Sequence, residues 1–102
     1  MAAQSPEELE SLLEDALVLQ DAAAVAALFE DGGVLVEGSG CVRGRNQVAK
    51  LLAQQDYLAA PCSVTVVNNV AIVVGPQTVN LSCRDPGGGW RLVAAIVTAT
   101  PR

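Results

Sequence analysis

Hydrophobic residues recur along this chain with two periods, and the change between them falls near residue 62. In the first part the period is helical. Leu9, Leu12, Leu13, Ala16 and Leu17 fall at i, i+3, i+4, i+7 and i+8, one apolar stripe of a helix. Its start is signalled by Ser5-Pro6-Glu7-Glu8: Ser5 as cap, Pro6 at the first helical position, Glu8 closing a capping box. The opposite face carries Glu10, Glu14 and Asp15, which are expected in solvent. Asp21 is the cap of a second helix over 22–29, with Val25, Leu28 and Phe29 on the buried side. Asp31-Gly32-Gly33 reads as the turn that ends it. A short strand over 34–37, a turn at Gly38-Ser39-Gly40 and a return over 41–43 make a hairpin. A third helix follows over 46–55, with Val48, Leu51 and Leu52 inward and Pro61 as its stop.

Beyond residue 62 the period becomes two. Ser63–Val67 and Val70–Val74 are β-branched runs separated by Asn68-Asn69, a hairpin turn. Residues 77–84 alternate, with Val79, Leu81 and Cys83 on one face and Thr78, Asn80, Ser82 and Arg84 on the other. After a turn at 85–89, the run 90–98 is apolar on both faces apart from Arg91. Such a strand needs cover on both sides. Helices can cover one, and a second copy of the chain is the natural cover for the other. The order predicts an α+β fold, three N-terminal helices packed on a curved antiparallel sheet. No linker divides it, so residues 1–102 are expected to form a single domain.

Composition narrows the chemistry. Half of the residues are hydrophobic but only 3% are aromatic, so the core is built from Val, Leu, Ile and Ala. The net charge is −5, with nine acids and no base in residues 1–37, and two acids and six bases after them. An acidic chain repels phosphate backbones, which argues against nucleic-acid binding. Three cysteines, Cys41, Cys62 and Cys83, occur without any histidine or CxxC. That pattern excludes the usual zinc sites and points to free, buried thiols in a reducing cytoplasm. The N-terminus lacks the apolar segment of an export signal, and no apolar run is long enough for a transmembrane helix. No P-loop or GxGxxG is present, so no cofactor is expected. No Ser has a His for a triad.

The stretch DAAAVAALFEDGGVLVEGSGCVRGRNQVAKLL and the order of elements around it resemble the NTF2-like superfamily, and within it the SnoaL-like and ketosteroid-isomerase-like proteins. The likeness runs over about 6–99. The segment GGGWRLVAAIVTATP is also similar to SnoaL-like domains attached to some bacterial sigma factors. The resemblance implies an NTF2-like cone whose curved sheet wraps a long helix and leaves an apolar pocket at the open end. It also implies a homodimer through the outer sheet face. In isomerase-like relatives a carboxylate at the end of the first strand is the general base, and Glu37 stands there. Their oxyanion donors are a Tyr of the first helix and a protonated acid of a later strand. Here the helix position is Leu13, and residues 62–84 hold no acid.

Three functions follow as expectations. The first is a domain that binds a small apolar molecule, or serves as a dimerising module, without a full catalytic set. Its pocket is expected to be lined by Leu13, Leu17, Phe29, Leu52, Tyr57 and Trp90. The second is a small isomerase, cyclase or hydrolase with Glu37 as catalytic base, paired with Arg43 or Arg91. The third is a regulatory interaction domain akin to the sigma-factor modules. Arg43 and Arg45, near the start of the third helix, are candidates for gripping an anion or for pairing with the acidic helices.

Overall fold

The capping signals at Ser5 and Asp21 work as the sequence predicts. The computed structural model describes residues 3–54 and 63–97. Helix α1 spans Pro6–Val18, and the Ser5 hydroxyl accepts the Glu8 N–H at 3.1 Å. The box closes one residue out of place: the Glu8 carboxylate accepts from the N–H of Gln4, not Ser5. Helix α2 spans Ala22–Ala27, with the Asp21 carboxylate accepting from Ala24 N–H at 3.1 Å. Leu9, Leu13, Ala16 and Leu17 are buried as the stripe predicts, but Leu12 sits at its rim, 36% exposed.

The second helix ends earlier than its apolar pattern suggests. The N–H of Leu92 donates to Leu28 O at 2.8 Å, so strand pairing takes over where the helix would have continued. Phe29 therefore opens strand β1, Phe29–Glu37, and is fully buried there. Asp31, Gly32 and Gly33 are strand residues rather than a helix-ending turn. Pairing with the last strand slips between Phe29 and Val34, so these residues form a bulge, which bends the strand. Gly33 is required by close approach: a Cβ there would lie 2.8 Å from Phe29 Cδ2.

Strand β2, Gly40–Arg43, returns antiparallel beside β1. Gly44, at φ 105°, turns the chain into α3, Arg45–Ala53, and its N–H donates to Gly33 O at 2.8 Å. Helix α3 buries Val48, Ala49, Leu52 and Ala53. Leu51, expected inward, lies at the exposed edge. Then come β3 Ser63–Val67, β4 Val70–Val74, β5 Thr78–Arg84 and β6 Trp90–Val97. Asn68 takes the left-handed φ of 57° that its tight turn needs and that Asn tolerates.

The six strands form one sheet in the order β2-β1-β6-β5-β4-β3. The C-terminal four are antiparallel throughout, as expected. The junction between β1 and β6 is parallel, so the sheet is mixed rather than wholly antiparallel. A second bulge places Val93 of β6 without a partner on β5, and the two bulges account for the curvature. Helix α1 lies over β6, α3 over β1 and β2, and α2 packs on α3. All three helices sit on one face. Cys41 is exposed, not buried, and Cys83 is partly buried; both are free thiols. Cys62 and Pro61 lie outside the described residues. No helix among the described residues is long and apolar enough to cross a membrane.

Candidate functional site

Along β4, Ala71 and Val73 are buried under the helices while Val70, Ile72 and Val74 face away. Register carries this parity to β5, because Ala71 is opposite Ser82 and Val73 opposite Asn80. Asn80 and Ser82 therefore point to the helix-covered face, and Val79, Leu81 and Cys83 point out. The polar face of β5 is the inner one. Asn80 is 2% exposed and Ser82 1%.

Glu10 of α1 meets them. The Asn80 Nδ2 donates to both carboxylate oxygens, at 3.3 Å to Oε1 and 3.1 Å to Oε2. Glu10 is thus not on a solvated face, as its helix pattern implies, but half-buried over the sheet. Burial pushes its carboxyl above the ordinary value of 4.5, and the Asn80 bond partly offsets that rise by favouring the charged form. Two buried atoms are left over. Asn80 Oδ1 and Ser82 Oγ have no hydrogen-bond partner among the described residues. Buried polar groups are nearly always paired, so two neighbouring orphans on one strand face are unusual.

The architecture has many solved counterparts. A ketosteroid isomerase-like protein from Erwinia carotovora atroseptica superposes with a TM-score of 0.74 at 19% identity, covering 93% of this chain and 94% of that one. An NTF2-like protein from Cytophaga hutchinsonii gives 0.73 at 12% identity, over 92% and 94%. A putative ketosteroid isomerase from Parabacteroides distasonis gives 0.68 at 17%, over 94% and 89%. This is the NTF2-like fold. No family model matches the sequence, and no curated protein matches it.

Within the NTF2-like cone, the residues expected around a pocket separate into two groups. Leu13, Leu17, Phe29, Leu52 and Trp90 are all buried in one core cluster, Phe29 completely. Tyr57 lies outside the described residues. Glu37 ends β1 opposite Val97; it shares the parity of buried Gly33 and Leu35, the helix side, but is exposed. Arg91 sits six residues before Val97 on β6, roughly 20 Å from the Glu37 end at strand rise. It bonds to Asp85 at 3.5 Å instead. The expected Arg91–Glu37 pair is therefore not formed.

Arg45 pairs with Asp31 of β1 at 3.2 Å, not with the acidic helices. Arg45, Asn46 and Arg91 line an open depression of about 330 Å³, floored by Ala23, Ala26 and Ala27 of α2. Both guanidinium groups there already hold counter-charges. Among the described residues no cluster of His, Cys, Asp and Glu is placed to hold a metal.

Sequence reasoning missed Glu10, Asn80 and Ser82. The nearest signal was in the alternation of β5. Once its apolar residues are assigned outward to the uncovered face, its polar ones must point inward, beneath the helix that carries Glu10.

Proposed function

We propose that this chain is a small-molecule-binding domain that works as a homodimer. The observation that carries the first half is the pair of buried, unpartnered atoms, Asn80 Oδ1 and Ser82 Oγ, on the otherwise apolar helix-covered face of the sheet. A molecule with an apolar body and one polar group would complement that face once α1, whose Leu13 and Leu17 are packed in the core, moves aside. A putative ketosteroid isomerase and a ketosteroid isomerase-like protein share this architecture, which supports a ligand in the cone.

The second half rests on the outer face. Val67, Val70, Ile72 and Val74 are between 40 and 63% exposed. Register extends the apolar surface across the sheet, from Ile72 to Leu81, Ala94 and Val34, and from Val74 to Val79, Ile96 and Val36. No charged residue interrupts either row as far as β1, and Arg43 of β2 ends the first. An apolar face of this breadth is what a second copy, laid face to face, would cover.

Catalysis with Glu37 as base is the second reading, favoured by the inward parity of that residue at the cone's rim. Against it, Glu37 is exposed, and neither Leu13 nor any acid on the inner face of β5 supplies an oxyanion donor. Native mass spectrometry of the purified protein tests the main reading. A species of twice the 10.5 kDa chain mass, carrying a small adduct that is lost on denaturation, is expected. A bare monomer would count against both halves.

A further inference from the structure

The depression beside α2 lies where the ends of several elements meet. Its floor is Ala23, Ala26 and Ala27, and its walls carry Arg45, Asn46 and Arg91. The bulge in β1 explains the meeting. Residues 30–33 stand against Val93 alone, so β1 swings away from β6 there. The start of α3 is tied to that bulge, because the Gly44 N–H donates to Gly33 O at 2.8 Å. The start of β6 is tied to the end of α2, through the Leu92 N–H and Leu28 O. Arg91 stands one residue before Leu92, where pairing with β1 has not yet begun. Its strand neighbour is Cys83 of β5, which leaves its other side to the depression. Two guanidinium groups, from positions far apart in sequence, thus border one hollow of about 330 Å³.

The chemistry of this lining is one-sided. Each guanidinium carries N–H donors in a rigid fork and no acceptor, and the Asn46 amide adds two donors and one acceptor. No carboxylate is among the lining residues. The counter-charges, Asp31 and Asp85, stand outside it, and each holds its arginine by a single contact. Arg45 Nη1 lies 3.2 Å from Asp31 Oδ1, and the Asp31 side chain is 92% exposed. An ion pair that open to water holds weakly. Arg91 Nε lies 3.5 Å from Asp85 Oδ2, longer than a charge-assisted hydrogen bond. Each contact uses one N–H of a fork and leaves the rest of it. An apolar or cationic molecule would leave those donors unanswered. Carboxylate and phosphate oxygens match a guanidinium fork in charge and in spacing.

We propose that the depression between α2, the start of α3 and the start of β6 binds a small molecule bearing an oxyanion, a phosphate or carboxylate group, gripped by Arg45 and Arg91 with Asn46 beside them. The three alanines put no long side chain in the way and give a short apolar tail a surface to lie on. None of the residues on which the small-molecule reading above rests is part of this site, so the two readings stand or fall separately.

The test titrates the full chain, at low salt, with inorganic phosphate, butyrate and butylamine, followed by amide NMR shifts. One or both anions are expected to move the Arg45, Asn46 and Arg91 signals saturably, and butylamine is not. Preference for phosphate names a phosphate head, and preference for butyrate a carboxylate with an apolar tail. Arg45→Gln and Arg91→Gln should each weaken binding about tenfold. Asp31→Asn should tighten it several-fold, because it removes the carboxylate that competes for Arg45. All three side chains lie at the surface, and unchanged circular dichroism would check that the fold is kept. The proposal is overturned if neither anion gives saturable shifts, if the shifts lie elsewhere, or if affinity is equal in wild type and all three variants.

Discussion

The two faces of β5 invert the usual arrangement. Its inner face, under α1, carries Asn80 and Ser82; its outer face, with no helix over it, carries Val79, Leu81 and Cys83. In a one-layer sheet with helices on one side, the apolar residues belong under the helices and the polar ones outside. The neighbouring strands keep part of that rule: β4 buries Ala71 and Val73, and β6 buries Leu92 and Ala95. Polar groups inside and apolar groups outside on one strand are each unfavourable in an isolated chain. Together they are the features on which the proposed ligand inside and second copy outside rest.

The largest expected effect separates the packed part of the inner face from the polar part. Phe29 is fully buried where β1 meets the helices, so Phe29→Ala should lower unfolding free energy by about 3–5 kcal/mol. Urea denaturation followed by circular dichroism would check it, and a loss similar to that of a surface site would mean the core is not centred there. Next comes a contrast within the polar patch. Asn80→Leu leaves the half-buried Glu10 carboxylate without its donated amide, and about 1–3 kcal/mol should be lost in the same assay. Ser82→Ala removes a hydroxyl with no partner and should shift stability by no more than about 0.5 kcal/mol. Equal losses from the two would contradict the bonding described for them.

On the outer face the expected change is in assembly, not in folding. Ile72→Lys places a charge at the middle of the apolar rows and should convert a dimer to a monomer in sedimentation, with the circular dichroism spectrum retained. An unchanged sedimentation coefficient would count against the outer face as an interface. The smallest effect concerns pH. Glu10 holds its proton more tightly in the folded chain than in the unfolded one. Its contribution to stability is therefore complete below about 4.5 and is lost as pH rises through the elevated folded value. Wild type should lose stability relative to Glu10→Gln across that rise, and parallel pH profiles for the two would refute it.

Much of the architecture was legible because its signals are local. Ser5 and Asp21 announce the helices, Asn68-Asn69 the hairpin, and the period of two the C-terminal strands. What stayed hidden was set by pairing at a distance. Alternation along β5 tells which residues share a face but not which face is inside, since that depends on register with β4 and β6. Glu10 looks like a solvated helix residue because nothing within its own turn reveals an amide seventy positions away. Gly32-Gly33 reads as a turn because glycine serves turns and bulges alike, and only the Phe29 ring beside it distinguishes the two. The resemblance carried the fold and directed attention to Glu37, which stands at the end of β1 and is exposed.

The parallel pairing of β1 with β6 has a consequence for how the molecule comes into being. The two strands lie roughly sixty residues apart in sequence, and β6 is the hinge between the N-terminal hairpin and the C-terminal meander. A nascent chain emerging from the ribosome can form its first helices early, yet β1 keeps an open edge until translation has passed Val97. Completion of the sheet is thereby a late event, and a chain ending before β6 would hold its N-terminal hairpin and its C-terminal strands with no seam between them.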